Sequence, residues 1–405
     1  MKKIWIIFVL SLGMFFLASC TETKHPADDK YERRFSFDNY MNTLISIRVL
    51  AEDEEQADQI QLDVESIYQM YHELTTNYEP LNENSSYLHN VYQINQNIGS
   101  QIEIDQELFD IIEYALEVNE LTNGYFDISI GKIVDQWKSL IVPEEVPEVG
   151  DLVFLTEYEE YAQIQSINQQ NGEVTVEGYT KPFYAWDFKQ DITENAFNLT
   201  RSRVEAIDSS IFNISLSENE GKFYITLSGE DIKLDLGAIS KGYATQKVYE
   251  YLQNLGVEYY SISAGSSSIV VGKNEKRDKD YFWISLANPI RTTTSEDGYG
   301  TIYVKDASIT TSGNYEQYVV YEGLRYHHIV SPKTKEPAHF YHTVTIIGQN
   351  AALLDALSTA LFSMPKTELE TWIDQHQETL DIDVITYNQD RTISKYFIHE
   401  YNEDF

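Results

Sequence analysis

Asp235-Leu-Gly-Ala-Ile-Ser-Lys-Gly-Tyr-Ala244 is the stretch on which the reading of this chain turns. Ile232 to Leu236 reads as a short apolar strand running into Gly237. A helix is expected from there to Leu255, because apolar residues recur at Ala244, Val248, Tyr251, Leu252 and Leu255. Gly256 stands where a C-terminal cap belongs. A glycine turn opening onto a helix leaves unpaired N–H groups at the positive end of the helix dipole, which suits a phosphate. Lys241 adds a positive charge in the first turn, and Asp235 a carboxylate at the strand end. The pattern is neither a Walker loop nor a dinucleotide fingerprint, and by itself it reads first as a plain strand–turn–helix.

The whole chain has 405 residues, 42% hydrophobic and 23% charged, enough for one large domain or one domain with an insertion. Thirty tyrosines and low proline argue against disorder. The net charge is −36; without Lys2 and Lys3, 27 basic residues face 65 acidic ones, a charge of −38. Such a surface repels nucleic acid and anionic headgroups, which excludes both as direct partners. Lys2-Lys3 followed by the apolar run Ile4 to Ala18 reads as a signal peptide over residues 1–19, too short for a stable span. Leu17-Ala-Ser-Cys20 resembles a bacterial lipobox, with Cys20, the single cysteine, as the lipidation site. Residues 20–34 then read as a polar tether.

Further along, Phe35 to Leu50 reads as a strand containing Met41-Asn-Thr43. Ile60, Val64, Ile67, Tyr71 and Leu74 give a helix from Glu54 to about Asn77, followed by Tyr78. A second helix starts at Asp105 as N-cap, with Leu108, Ile111, Ile112, Ala115 and Leu116 on one face, and Asn123-Gly124 stops it. Tyr125-Phe126-Asp127 offers aromatic surface and a carboxylate. Residues 139–199 read as an inserted β-rich segment, with a strand at Leu152 to Leu155 and a hairpin turning at Gln169 to Gly172. It is a surface ornament first and a partner-docking element second. Val257 to Ser263, Tyr281 to Leu286 and Thr301 to Val304 are strands, and Tyr315 to Val330 is a hairpin turning at Glu322-Gly323. On residue type His327-His328 is strand surface first, with a metal site or a base as alternatives. Asp355 and Thr359 lie four apart, on one face of a helix from about Asn350 to Met364. Either they form a solvated polar stripe, or they ligate a hard cation. Residues 376–405 read as a C-terminal extension with a short strand pair and an acidic tail.

Six segments in one order carry a resemblance. Asp235 to Ala244 resembles the D-L-G-G-I-A-K-G-Y-A signature of the FAD:protein FMN transferases, the ApbE family. Met41-Asn-Thr43, Thr122-Asn-Gly-Tyr-Phe-Asp127, Thr311-Ser-Gly-Asn-Tyr315, Tyr326-His-His-Ile329 and Leu354 to Phe362 are similar to other parts of that family's pattern. The resemblance implies an α+β fold of mixed β-sheets with packed helices over residues 35–375. It also implies a flavin site using Met41, Tyr78, Tyr125, Phe126, Asp127, Asp235, Lys241 and the Ile329 backbone. His328 would lie near the scissile pyrophosphate. Magnesium would be held by Asp355, Thr359 and the Ala238 carbonyl, with Asp355 and His328 as the catalytic pair. The chain departs from the pattern at Ser266 and Ser267, where glycine and Asn or Asp are usual, and at Ser331 and Lys335, where Asp and Gly are usual.

The expected activity is magnesium-dependent transfer of FMN from FAD to a Thr or Ser hydroxyl of an exported or membrane-attached flavoprotein, with release of AMP. An FAD pyrophosphatase giving free FMN, and a non-catalytic flavin-binding lipoprotein, are the alternatives. A solute-binding lipoprotein is more distant, since no two-lobe repeat is evident. The expected location is the outer face of the cell membrane, reached through the lipid anchor only.

Overall fold

The computed structural model describes residues 30–141, 148–168, 170–184, 187–189, 191–276, 279–290 and 298–405. The expected signal peptide, Cys20, most of the expected tether and the Pro143–Pro147 segment lie outside the described residues. In chain order the elements are β1 (Tyr31–Phe37), β2 (Ile45–Ala51), α1 (Glu54–Thr75), α2 (Val91–Gln96), β3 (Gln101–Ile104), α3 (Gln106–Leu121) and α4 (Gly131–Lys138). Next come β4 (Leu152–Leu155), β5 (Glu160–Ile167), β6 (Val174–Val176), β7 (Phe188–Lys189), α5 (Glu194–Glu205), β8 (Ile214–Asn219), β9 (Lys222–Leu227) and α6 (Ser240–Asn254). Then follow β10 (Tyr260–Ala264), β11 (Ser268–Val271), β12 (Phe282–Ala287), β13 (Gly298–Val304), β14 (Ala307–Gly313), β15 (Tyr318–Tyr321) and β16 (Leu324–His327). The last are β17 (Tyr341–Gly348), α7 (Ala351–Phe362), α8 (Lys366–Leu380), β18 (Asp383–Asn388), β19 (Ile393–Tyr396) and β20 (Asn402–Asp404).

The α+β expectation is met. Among the described residues the frame is an eight-stranded sheet in the order β1-β2-β10-β11-β14-β17-β18-β19, antiparallel at every pair. Smaller ladders are β12-β13-β20, β15-β16, β3-β9-β8 and β6-β5-β4-β7. One face of the main sheet packs on α1, α6 and α7 through Ile47, Val64, Val248, Val344, Ile346 and Leu357. Its other face meets β12-β13 through Ile309, Ile347, Ile385, Phe282 and Ile302. All eight residues of β17 are therefore buried, so this strand shows no alternation in sequence and went unrecognised there. The α1 periodicity holds, and Asp53 caps the helix by accepting the Gln56 N–H at 2.9 Å, a contact worth about 1 kcal/mol.

Several sequence expectations are corrected. Phe35 to Leu50 is not one strand: β1 and β2 form a hairpin, and Met41 and Asn42 turn the chain with φ of +55° and +52°. Strand β1 also takes residues 31–34, which read as tether. Ile232 to Leu236 joins no ladder among the described residues, although the Asp235 N–H donates to the Ile128 carbonyl at 2.8 Å and the Gly131 N–H to the Lys233 carbonyl at 3.0 Å. A single parallel bridge joins Lys233 to Ile130, and the Asn95 amide side chain stands in for a neighbour, accepting the Leu234 N–H at 2.7 Å and donating to its carbonyl at 2.9 Å. The segment 376–405 is no appendage, since β18 and β19 complete the main sheet and β20 pairs with β13. Asp105 precedes α3 but makes no side-chain cap; its carboxylate accepts the Leu88 N–H instead. The segment expected to be β-rich does fold as a four-stranded sheet with its own core of Val153, Leu155, Ile164, Val176, Phe183 and Phe188. Gly256 caps α6 with φ +71°: Val257 N–H reaches Leu252 and Gly256 N–H reaches Gln253. No helix among the described residues is long and apolar enough to cross a membrane.

Candidate active site

Where the β1–β2 turn, α4, the N-terminus of α6, the β15–β16 hairpin and α7 meet, they enclose a cleft of about 400 Å³. Met41, Tyr78, Tyr125, Phe126, Asp127, Asp235, Ala238, Lys241, His328, Ile329, Asp355 and Thr359 all line it. Residues spread over more than 300 positions of sequence are thus gathered in one place.

The α6–α7 contact is the tightest part. Gly242 lets α6 approach so closely that a Cβ there would lie 2.4 Å from both the Ala351 carbonyl oxygen and Asp355 Cβ. At that contact the Gly242 N–H donates to Asp355 Oδ2 at 2.8 Å. Asp355 is 5% exposed. Burial raises its pKa, against the opposing pull of Lys241 and the Gly242 N–H. Asp355 is therefore not a solvated stripe. Thr359, one turn on, is half-buried and its Oγ1 lies 3.4 Å from Ser312 Oγ.

The helix N-terminus differs from the expectation of open amides. Gly237 N–H donates to Asp235 Oδ1 at 2.8 Å, Ser240 N–H to the Leu236 carbonyl at 2.9 Å, and Gly242 N–H to Asp355. Two carboxylates in the same sequence compete for the donors that the turn was expected to leave free. Positive charge in the cleft comes instead from side chains. Lys241 Nζ sits 3.4 Å from the Gly237 carbonyl. Lys138, from the end of α4, donates to Tyr78 Oη at 2.8 Å. Burial disfavours the Lys138 charge, but the Tyr78 hydrogen bond and the Asp235 and Asp135 carboxylates outweigh it and raise its pKa.

The two histidines separate. His327 is fully buried, with Nε2 2.9 Å from the Ala338 carbonyl and Nδ1 3.2 Å from the Ile329 N–H. Those contacts assign a neutral ring with its proton on Nε2, and burial holds the pKa well below the ordinary value. Neither histidine is plain strand surface. His328 opens into the cleft, yet the chain around it desolvates the ring and, with Lys138 and Lys241, pushes its pKa down to about 4. Ile329 offers less than expected, because its N–H is bound to His327 and its carbonyl accepts the Ala338 N–H at 3.1 Å.

Tyr125 Oη donates to Glu368, its ring lies 5.4 Å from Lys333 Nζ, and Phe126 is core. Asp127 Oδ1 accepts the Ser129 N–H at 2.7 Å and the Ser129 hydroxyl at 2.6 Å, while burial raises its pKa against those bonds. Met41 is pinned by its N–H to His72 Nδ1 at 3.2 Å. At the departures from the family pattern, Ser266 Oγ donates to Glu316 at 2.7 Å, and Lys335 adopts φ +60°, so the turn keeps a glycine-like shape. Sequence reading missed Lys138 and Asn77, and it quoted Ser312 within Thr311 to Tyr315 without a role. Asn77 Oδ1 is buried without a hydrogen-bond partner among the described residues, and the residue lines the cleft. Nothing in the local sequence marks Lys138 or Asn77, apart from the place of Lys138 beside Trp137.

Among the described residues no group of three or more His, Cys, Asp or Glu converges as a metal cluster. The cleft nevertheless offers hard oxygen donors in one buried carboxylate (Asp355) and the Thr359 hydroxyl, with Ala238 also in the lining. That set fits a hard divalent cation whose remaining ligands come from phosphate or water.

A family model described as the ApbE family matches residues 41–383. Similar proteins include the FAD:protein FMN transferase of Buchnera aphidicola subsp. Schizaphis graminum, 26% identical over 259 residues, 64% of this chain and 61% of that one. The FAD:protein FMN transferase of Haemophilus influenzae is 25% identical over 274 residues, 67% of this chain and 64% of that one. The matches thus span just under two thirds of these relatives' length. In structure, the ApbE protein of Thermotoga maritima has a TM-score of 0.63 at 22% identity, covering 90% of this chain and 96% of that chain. The flavin transferase ApbE of Vibrio cholerae has a TM-score of 0.59 at 19% identity, covering 91% and 97%.

Proposed function

The chain belongs to the ApbE family, and from that premise we propose that it transfers FMN from FAD to a Thr or Ser hydroxyl of a protein, with AMP as leaving group. The observation that carries this is one cleft holding a buried carboxylate, two lysines and a neutral histidine beside aromatic side chains. The hydroxyl oxygen forms a bond to the FMN phosphorus. The bond from that phosphorus to the bridging oxygen breaks, AMP departs with that oxygen, and the hydroxyl proton passes to a base. Lys241 and Lys138 hold the pyrophosphate charge. His328 is the base: neutral at pH 7, it can accept a proton; burial first and the two lysines second depress its pKa, and bound pyrophosphate offsets the lysines. Asp355, Thr359 and the Ala238 carbonyl would hold magnesium, which supplies positive charge against the pyrophosphate oxygens. Tyr78 and Tyr125 give the flavin aromatic surface.

The acceptor in this reading is an exported, membrane-attached flavoprotein. Cys20 carries the lipid, and confinement to one surface raises the effective concentration of an anchored partner. Cys20→Ser should release the protein from the membrane fraction without loss of soluble activity, whereas an unacylated wild type cleaved elsewhere refutes the anchor. The −36 charge favours a basic modified region, so labelling should slow as salt rises.

Incubation with FAD, magnesium and membrane proteins of the host tests the reading, with mass spectrometry searching for FMN on a hydroxyl side chain. AMP with free FMN and no adduct makes the protein a pyrophosphatase. FAD binding without AMP makes it a flavin carrier.

A further inference from the structure

Hairpin β15–β16 leads to His328, yet it is a separate two-stranded ladder, running from Tyr318↔His327 to Tyr321↔Leu324, with no ladder to the main sheet among the described residues; a single parallel bridge joins Val320 to Asp191, where the Ile192 N–H donates to the Val320 carbonyl at 2.9 Å. Two strands alone are marginal in water and need layers packed on them. The period-2 side chains divide between two hosts. Val319, Tyr321 and Tyr326 pack with Trp137 of α4 and Phe197 of α5. Tyr318 and Val320 pack with Phe154 of the inserted sheet.

Polar ties from the insertion go to the same hairpin. At its turn, Gly323 N–H donates to Tyr161 Oη at 2.6 Å, Tyr161 Oη donates to Asp191 at 2.8 Å, and Asp191 Oδ2 accepts the Glu322 N–H at 3.1 Å. On β16, opposite Val320, stands Arg325, 5% exposed. Its Nη2 donates to the Thr156 carbonyl at 3.5 Å and lies 3.4 Å from Glu159 Oε1. Its Nη1 reaches Asn314 Oδ1 at 3.5 Å and the Pro289 carbonyl at 3.4 Å. A guanidinium so buried needs a counter-charge, and the insertion supplies it in Glu159. The same carboxylate lies 3.3 Å from Arg391 Nη2, so it also ties the insertion to the β18–β19 turn, and it passes 3.5 Å from His342 Nε2.

Glu159 holds φ +54°, a conformation where glycine is the less strained residue. A carboxylate kept at such a position points to the side chain, not the turn. We propose that the inserted sheet is a structural wall of the hairpin, and that Glu159, acting through Arg325, is a positioning residue that fixes where β16 presents His328. From Arg325 the order passes along the strand to His327, itself locked to Ala338 and Ile329, and so to its neighbour. The effect on turnover rests on the transferase reading; the effect on hairpin order does not.

The test uses the full chain with Glu159→Gln, Glu159→Gly and Glu159→Asp. Glycine relieves the backbone and removes the carboxylate, so it separates the two roles. In hydrogen exchange, both Glu159→Gln and Glu159→Gly should speed exchange of amides 318–328 by about tenfold while α6, α7 and the main sheet are unchanged. With FAD, kcat for AMP release should fall about tenfold and KM by less than about twofold, with partial recovery in Glu159→Asp. Wild-type or slower exchange in Glu159→Gly overturns the proposal and leaves a turn residue. Faster exchange with unchanged kcat overturns the positioning of His328. A wild type that releases no AMP removes the transferase reading, and the exchange result then decides the hairpin claim by itself.

Discussion

At the α6–α7 part of the cleft wall, backbone meets backbone: the Gly242 N–H bonds the Asp355 carboxylate, and no room exists for a methyl group between the helices. Beside His328, which follows β16, the wall is backed by a hairpin held from one side by α4 and α5 and from the other by the β4–β7 sheet. The first arrangement belongs to the main core and draws on its whole burial. The second depends on a few long side chains and one carboxylate, with Arg325, His342 and Arg391 around it. The difference teaches that groups lining one cleft can be held with different rigidity, and that a small separate sheet can stand in for a missing sheet neighbour.

The strongest way to break this comparison is Gly242→Ala. Its Cβ meets a backbone carbonyl that cannot step aside, so about 3 kcal/mol or more of stability should be lost, read from the denaturation midpoint. A midpoint within about 0.5 kcal/mol of wild type would show that the α6–α7 wall is as compliant as the hairpin. Asp355→Asn comes next. Magnesium-dependent AMP release should fall about 100-fold, near 2.7 kcal/mol in the barrier. Folding should hold or improve, because burial already raises the pKa of this carboxylate and the amide carries no charge to desolvate. Loss of fold with no metal effect would return Asp355 to a structural role.

Acid sharpens the contrast. His342 is fully buried with its pKa pushed down to about 3 by burial, Arg325 and Arg391, and His327 is also depressed. A depressed histidine binds protons more weakly folded than unfolded. Its contribution to stability is therefore complete above pH 6.5 and is lost as pH falls toward the folded pKa. For His342 the loss is about 2 kcal/mol at pH 5. Asp355 has the opposite sign, since its raised pKa costs stability as pH rises and relieves it as pH falls. Hydrogen exchange at pH 7 and pH 5 should therefore show the hairpin and β17 loosening while the α6–α7 contact holds. Equal loosening would remove the distinction. The smallest effect is at Lys335, where φ +60° favours glycine. Lys335→Gly should stabilise by up to about 1 kcal/mol, less whatever the Lys335 Nζ contact with the Ile207 carbonyl contributes, as measured by the shift in the thermal midpoint.

Much of this protein was written locally. Helix α1 follows from Ile60, Val64, Tyr71 and Leu74, the hairpin turn from Glu322-Gly323, and the end of α6 from Gly256, because each depends on a short period or one backbone conformation. Asp355 and Thr359 were legible as a pair because helical spacing places them on one face. What they face was not legible, since the partner Gly242 is 113 residues away. The same limit hid the β17 strand, whose two buried faces erase alternation, and the free amides expected at Gly237, which Asp235 and Asp355 had taken. It hid Lys138, which counts only once α4 stands beside Tyr78. Sequence alone determined the elements and the inventory of chemical groups, because periodicity, caps and residue type act within a turn or two of the chain. Only the tertiary structure decided which carboxylate is buried, which histidine is open, and that Phe154 packs on the β15–β16 hairpin, because burial and pairing are properties of neighbours that the chain brings from far away.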